Sequence, residues 1–134
     1  MSESVFLDTV GLLALWNKRD QWHERAKLAF KQLAESRRSL TTTPYVLLEC
    51  GNAAARHPFR SSVVALREQL IANGALFDVE FEELEAAWQA YSSGECDQAG
   101  IVDQISFSVM RREGLRQAFS NDHHFQAAGF ETLF

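Results

Sequence analysis

The stretch Val5-Phe6-Leu7-Asp8-Thr9 sets three consecutive apolar residues directly against a carboxylate. An unbroken apolar run, rather than alternation with polar residues, is the pattern of a strand covered on both faces. A carboxylate at the end of such a strand lies near the core, where an unpaired charge is costly. Three further acids sit in comparable positions. Glu49 follows Val46-Leu47-Leu48, Asp103 separates Ile101-Val102 from Ile105-Ser106-Phe107, and Asp122 comes three residues after Phe119. If the four converge, repulsion raises their pKa values unless a cation sits among them. Hard divalent ions such as Mg²⁺ and Mn²⁺ are suited to such carboxylate oxygens.

Outward from Val5-Phe6-Leu7 the chain alternates strand and helix patterns. Thr9 to Trp16 reads as a short helix, and from Trp22 to about Ser36 the residues Ala26, Ala29, Phe30 and Leu33 keep one helical face. Thr43-Pro44 is a helix start, with Thr as N-cap and Pro at the first helical position. That helix should end near Arg56, because His57 precedes Pro58. Val63, Leu66, Leu70 and Ile71 mark another helix, stopped by Asn73-Gly74. Leu84, Ala87, Trp88 and Tyr91 mark the next, with Glu82, Glu83 and Glu85 in its early turns. A helix is also expected over residues 101–112 and a short one over 123–128. Strands are expected at 5–7, 40–42, 75–79, 115–119 and 130–133. Alternation of this kind predicts a parallel, doubly wound α/β sheet, whose ligand site lies at the carboxyl ends of the strands. Asp8 and Asp122 both follow expected strands.

Composition sets outer bounds. The 134 residues suffice for one domain with a real core. No apolar run approaches the roughly 20 residues needed to span a bilayer. The start, Met1-Ser2-Glu3-Ser4, has no basic region, which argues against a signal peptide. Cys50 and Cys96 fall outside any Cys-x-x-Cys pattern and read as reduced thiols. The net charge of −5 argues against broad binding to duplex DNA. Committing four acids to a metal would leave the rest of the chain near neutral, and Lys18-Arg19, Arg37-Arg38 and Arg111-Arg112 are available for phosphates or as solvated helix ends.

Each acid has a plain structural reading. Asp8 and Asp122 could cap the helices that follow them, Asp103 could cap a helix after Gly100, and Glu49 could be a surface residue. Asp103, however, shares one face with Phe107 and Met110, while Val102, Ile105 and Val109 form another. A helix apolar on two sides is largely buried. Asp97 reads as a loop acid or cap. His123 and His124 are adjacent and should diverge on a helix, and Trp16, Trp22 and Trp88 read as core or interface residues. A dinucleotide site would need a Gly-rich turn after the first strand, which Asp8-Thr9-Val10-Gly11 does not provide. A phosphoaspartate phosphatase would need a second Asp where Val10 stands. A Ser-His-Asp hydrolase would need a Gly-x-Ser-x-Gly elbow, which is missing.

Over almost its whole length the chain resembles the PIN-domain nucleases, particularly the VapC-type ribonuclease toxins of prokaryotic toxin–antitoxin pairs. The resemblance rests on Val5-Phe6-Leu7-Asp8-Thr9, on Asp20 to Ala26, and on Thr43-Pro44-Tyr45-Val46-Leu47-Leu48-Glu49. It rests most on Ile101-Val102-Asp103-Gln104-Ile105-Ser106-Phe107 and on Ser120-Asn121-Asp122-His123-His124-Phe125, in this order. It implies one PIN-like domain over residues 1–134, a three-layer α/β/α fold with a central parallel sheet of about five strands. It further implies Asp8, Glu49, Asp103 and Asp122 as catalytic, metal-binding acids, with hydroxyls of Thr9 and Ser120 in support. The implied activity is Mg²⁺- or Mn²⁺-dependent endoribonuclease cleavage of a structured RNA loop. A cognate antitoxin, a homodimer and a cytoplasmic, membrane-free setting are implied with it. A PIN-like RNA-binding or scaffold module without significant catalysis is the alternative; the presence of all four acids counts against it. Gly100-Ile101 and Gln104 depart from the residues common in the family, and Ser120 stands where threonine is frequent.

Overall fold

Val5, Phe6 and Leu7 are fully buried, as their unbroken apolar run predicts, and form the central strand β1 (Val5–Leu7). In the computed structural model, residues 3–134 are described; Met1 and Ser2, part of the polar start, lie outside them. The remaining elements are α1 (Thr9–Trp16), α2 (His23–Glu35), β2 (Leu40–Thr41), α3 (Pro44–Ala54), α4 (Arg60–Ala72), α5 (Phe81–Ser92), the four-residue turn α6 (Glu95–Gln98), α7 (Ile101–Glu113), β3 (Gln117–Phe119), α8 (His123–Ala127) and β4 (Glu131–Thr132). The strands form one parallel sheet in the order β2-β1-β3-β4. Phe6 pairs with Thr41 on one side and Ala118 on the other. The chain leaves β1 for β2 on one side and later returns to β3 on the opposite side, so the switch point lies between β1 and β3.

The sheet has four strands among the described residues, not the five expected. The segment 75–79 contributes only a bridge between Leu76 and Thr42. Its pairing amounts to Thr42 N–H donating to Ala75 O at 3.4 Å and Phe77 N–H donating to Thr42 O at 2.9 Å. The reason lies in the partner. Thr43 caps α3 by accepting from Val46 N–H at 3.4 Å, and Pro44 opens the helix. The backbone beside residues 77–79 has therefore already turned away.

Helices flank the sheet, with α1 packed on α2 and α3, and α5 on α7. The core joins β1 to Leu12, Val46, Phe107, Val109, Met110, Phe119 and Phe125, all essentially buried. Each such side chain contributes about 1.5–3 kcal/mol by leaving water. Phe107 meets Phe125 edge-on at 4.9 Å, and Phe30 meets Phe119 at 5.4 Å. Residues of both apolar faces of α7 are buried, as its sequence requires. His23 Nδ1 lies 2.9 Å from Ala14 O and ties α2 back to α1. Three residues of the basic pairs are committed to the fold. Arg38 donates to Glu3 O and to Gln117 Oε1, Arg111 to Ala128 O, and Arg112 to Glu83. Both cysteines are free thiols, and among the described residues no helix is long and apolar enough to cross a membrane.

Candidate functional site

β1 and β3 end side by side, and each hands its chain to a helix through an aspartate. Asp8 is the N-cap of α1, its Oδ2 accepting from Val10 N–H at 3.3 Å. Asp122 is the N-cap of α8, its Oδ1 accepting from His124 N–H at 3.0 Å. The capping and site readings of these acids thus describe one arrangement. Capping points the carboxylate at the helix N-terminus, and the parallel topology places both N-termini at the switch-point edge. Ser120 joins the two: its Oγ donates to Asp8 Oδ2 at 2.8 Å and accepts from Asp122 N–H at 3.0 Å.

Asp103 sits in the first turn of α7 and reaches the same place. It does not cap; Gly100 is the N-cap and no side chain bonds there. Ligand atoms of Asp103, Asp122 and His124 lie within 4.8 Å of one another. Glu49 lies on the exposed side of α3, so this acid is not in the core as its apolar neighbours suggested. Its Oε1 accepts from Thr9 Oγ1 at 2.6 Å, which brings α3 to the start of α1. Asp8 and Glu49 therefore flank the tighter group of Asp103, Asp122 and His124.

The electrostatics bind the four acids into one system. Burial, then the charge of Asp103, and to a lesser degree that of Asp122, push Asp8 up to about 8, against the Ser120 hydrogen bond. Burial, Asp122 and Glu49 push Asp103 up to about 6, with His124 opposing. Burial also raises the Cys50 thiol to about 12, helped by Asp8 and Glu49, so this cysteine is an inert core residue. At His124 desolvation disfavours the charged ring, but the hydrogen bond to Asp122 and the charges of Asp122, Asp103 and Asp97 outweigh it and raise its pKa.

The histidines are the residues that sequence reasoning undervalued. His123 and His124 do not diverge: their ring centroids are 4.1 Å apart. His124 Nδ1 lies 2.7 Å and His123 Nδ1 3.8 Å from the same Asp122 oxygen. In a helix of five residues, the pull of the N-cap carboxylate overrides helical spacing. The available signal was a histidine two residues after an N-cap aspartate.

The donor set fits a hard divalent cation. Its charge-bearing groups are carboxylates, one of them fully buried, and burial followed by carboxylate repulsion raises the pKa of Asp8 and of Asp103. Asp103 and Asp122 could hold it, with Asp8 and Glu49 beside them.

Comparison with known proteins identifies the family. The PIN-domain family profile matches residues 5–131. The chain is 32% identical over 136 aligned positions to proteins of two Mycobacterium tuberculosis strains, H37Rv and CDC 1551, each named 23S rRNA-specific endonuclease VapC20. The alignment covers 94% of this chain and 95% of the relative. The crystal structure of Mycobacterium tuberculosis VapC20, described as a Sarcin-Ricin loop cleaving toxin, is similar with a TM-score of 0.78 and 29% identity, covering 95% of this chain and 96% of that one.

Proposed function

The chain belongs to the PIN-domain family, and we propose that it is a metal-dependent endoribonuclease, the toxin of a toxin–antitoxin pair, with Asp8, Glu49, Asp103 and Asp122 as its metal-binding acids. The observation that carries this reading is the meeting of buried Asp8 with Asp103 and Asp122 at the switch point between β1 and β3. A purely structural use of three acids there would leave their repulsion uncompensated.

A Mg²⁺ or Mn²⁺ ion bound by these acids supplies Lewis acidity that activates water and offsets charge on the scissile phosphate. The protein's own groups do the positioning. Ser120 and the Val10 N–H fix one Asp8 oxygen, and Thr9 fixes Glu49. The His124 ring and backbone hold Asp122. Without a cation the cluster of carboxylates repels a phosphodiester, so substrate approach itself depends on metal loading.

The substrate class is inferred from the activity for which the relatives are named: a structured loop of ribosomal RNA, where unstacked bases and an exposed backbone can enter the site. Assembly is read from the surface. Phe81, Trp88 and Tyr91 on α5 are 68%, 52% and 48% exposed, an apolar surface of the kind that partners cover. A cleft of about 690 Å³ between α2 and α4, lined by Phe30, Leu66 and Phe77, offers a groove for an antitoxin segment. A cytoplasmic homodimer inhibited by its cognate antitoxin accommodates both features.

The deciding assay is cleavage of loop-containing ribosomal RNA by purified protein freed of antitoxin. EDTA abolishes cleavage and Mg²⁺ or Mn²⁺ restores it. Asp8→Asn, Asp103→Asn and Asp122→Asn each lower the rate by orders of magnitude, and Glu49→Gln lowers it less. Full activity in EDTA, or wild-type rates in the Asp8→Asn/Asp103→Asn double variant, overturns the mechanism.

A further inference from the structure

We propose that Asp97, His123 and His124 form a second metal site, selective for a borderline transition-metal ion of the Zn²⁺ class and adjoining the carboxylate site of the proposed nuclease. One ligand atom from each of these residues lies within 4.8 Å of the others. His123 Nε2 is 3.0 Å from Asp97 Oδ2, and the two imidazoles lie 4.1 Å apart between centroids. Two nitrogens and one carboxylate oxygen, completed by water, are a donor set that favours Zn²⁺ over Mg²⁺, whereas the neighbouring carboxylates favour the reverse.

The surroundings prepare this group for an ion. Asp122 Oδ1 accepts from His124 Nδ1 at 2.7 Å, so the neutral ring carries its proton on Nδ1 and its lone pair on Nε2. A carboxylate behind a ligating imidazole orients the ring and raises its basicity. Asp97 is brought to the histidines by unusual backbone: Cys96, Asp97 and Gln98 have φ of 56°, 59° and 59°. Such a left-handed run persists only where neighbouring contacts impose it. The buried Gln104 is one such contact, its Nε2 donating to Glu95 O at 2.8 Å. The Asp97 and His123 side chains are 66% and 65% exposed, so an ion can reach them from solvent.

The test is Zn²⁺ titration of the full chain by calorimetry in millimolar Mg²⁺, which occupies the carboxylate site. Co²⁺ absorption in the visible serves as a second readout of nitrogen ligation. Wild type is expected to bind one Zn²⁺, with His123→Ala and Asp97→Ala each weakening it at least about tenfold, while Asp8→Asn leaves it unchanged. Both diagnostic side chains are exposed, so thermal melts of these variants should match wild type. No Zn²⁺ uptake in Mg²⁺ overturns the proposal. So does equal affinity in His123→Ala, or loss of the site in Asp8→Asn, which would assign the ion to the carboxylates.

Discussion

Ser120 Oγ donates to Asp8 Oδ2 across 2.8 Å, a buried hydrogen bond that ties the end of β3 to the end of β1. The same oxygen accepts from Asp122 N–H, so one hydroxyl sets the position of two acids that are 114 residues apart in the chain. Because the bond favours ionised Asp8, it works against the burial that raises that group's pKa.

Ser120→Ala should therefore weaken metal binding and RNA cleavage by roughly 10–100-fold, as loss of a group supporting a metal ligand does. Ser120→Thr should retain both, since it keeps the hydroxyl. Mg²⁺ dependence of the rate separates the effects: the alanine variant should need more Mg²⁺ for half-maximal cleavage. An unchanged Mg²⁺ requirement would show that Asp8 does not depend on this bond.

Thr9 makes the corresponding contact to Glu49, at 2.6 Å. Glu49 is exposed and this hydroxyl is what directs it, so Thr9→Val should mimic Glu49→Gln while Thr9→Ser should not. Parallel RNA cleavage series for the three variants test this. Equal loss in Thr9→Val and Thr9→Ser would point to packing rather than the hydrogen bond.

The raised pKa values carry a stability signature. Asp8 at about 8 and Asp103 at about 6 both lie above an unfolded carboxyl near ~4. A carboxyl raised on folding stabilises the native state while protonated. That contribution is complete below pH ~4 and is lost as pH rises through about 6 and then about 8. The raised pKa of His124 acts in the same direction, whereas Glu3, lowered by its bond to Arg116, acts in the opposite one. In EDTA the melting temperature should fall from pH 5 to pH 8.5, and Mg²⁺ should flatten the fall while releasing protons on binding. Asp8→Asn should raise the melting temperature in EDTA at pH 8. A melting temperature that climbs with pH in EDTA would separate these acids.

How much of this was legible depends on whether a signal was local. β1 and the two N-cap aspartates were readable because an apolar run followed by an acid predicts a strand end and a helix start together. The strand expected at 75–79 failed for a non-local reason: its residues suit a strand, but Pro44 removes the partner. The left-handed turn at Cys96 to Gln98 left no trace, because no glycine occupies those positions and a contact beside it, Gln104 to Glu95 O, is made from the following helix. Hydropathy set Glu49 near the core, whereas it is exposed and held by Thr9. Its neighbour Leu48 is itself 64% exposed, so the apolar run Val46-Leu47-Leu48 does not mark a buried face throughout.

Gly11 shows a constraint that no motif announced. A Cβ added there would lie 2.0 Å from Phe119 O and 2.8 Å from Phe119 Cδ2, so α1 can approach β3 only through a glycine. This close approach places Asp8, the N-cap of α1, beside Ser120. Alanine in a helix interior is normally better than glycine by about 0.5–1 kcal/mol, but here the contact is with backbone that cannot rotate aside. Gly11→Ala should cost about 3 kcal/mol net, at the upper end of overpacking penalties, and lower the melting temperature by roughly 10 °C. Gly51 is the internal control: it lies within α3 with nothing within 4 Å of an added Cβ. Gly51→Ala should be neutral or raise stability by up to about 1 kcal/mol. Thermal melts of the two variants in EDTA and in Mg²⁺ give the answer. Equal stability would mean that α1 can move away from β3. Any folded Gly11→Ala protein should still bind Mg²⁺ more weakly than wild type, because the shift that relieves Phe119 also moves Asp8.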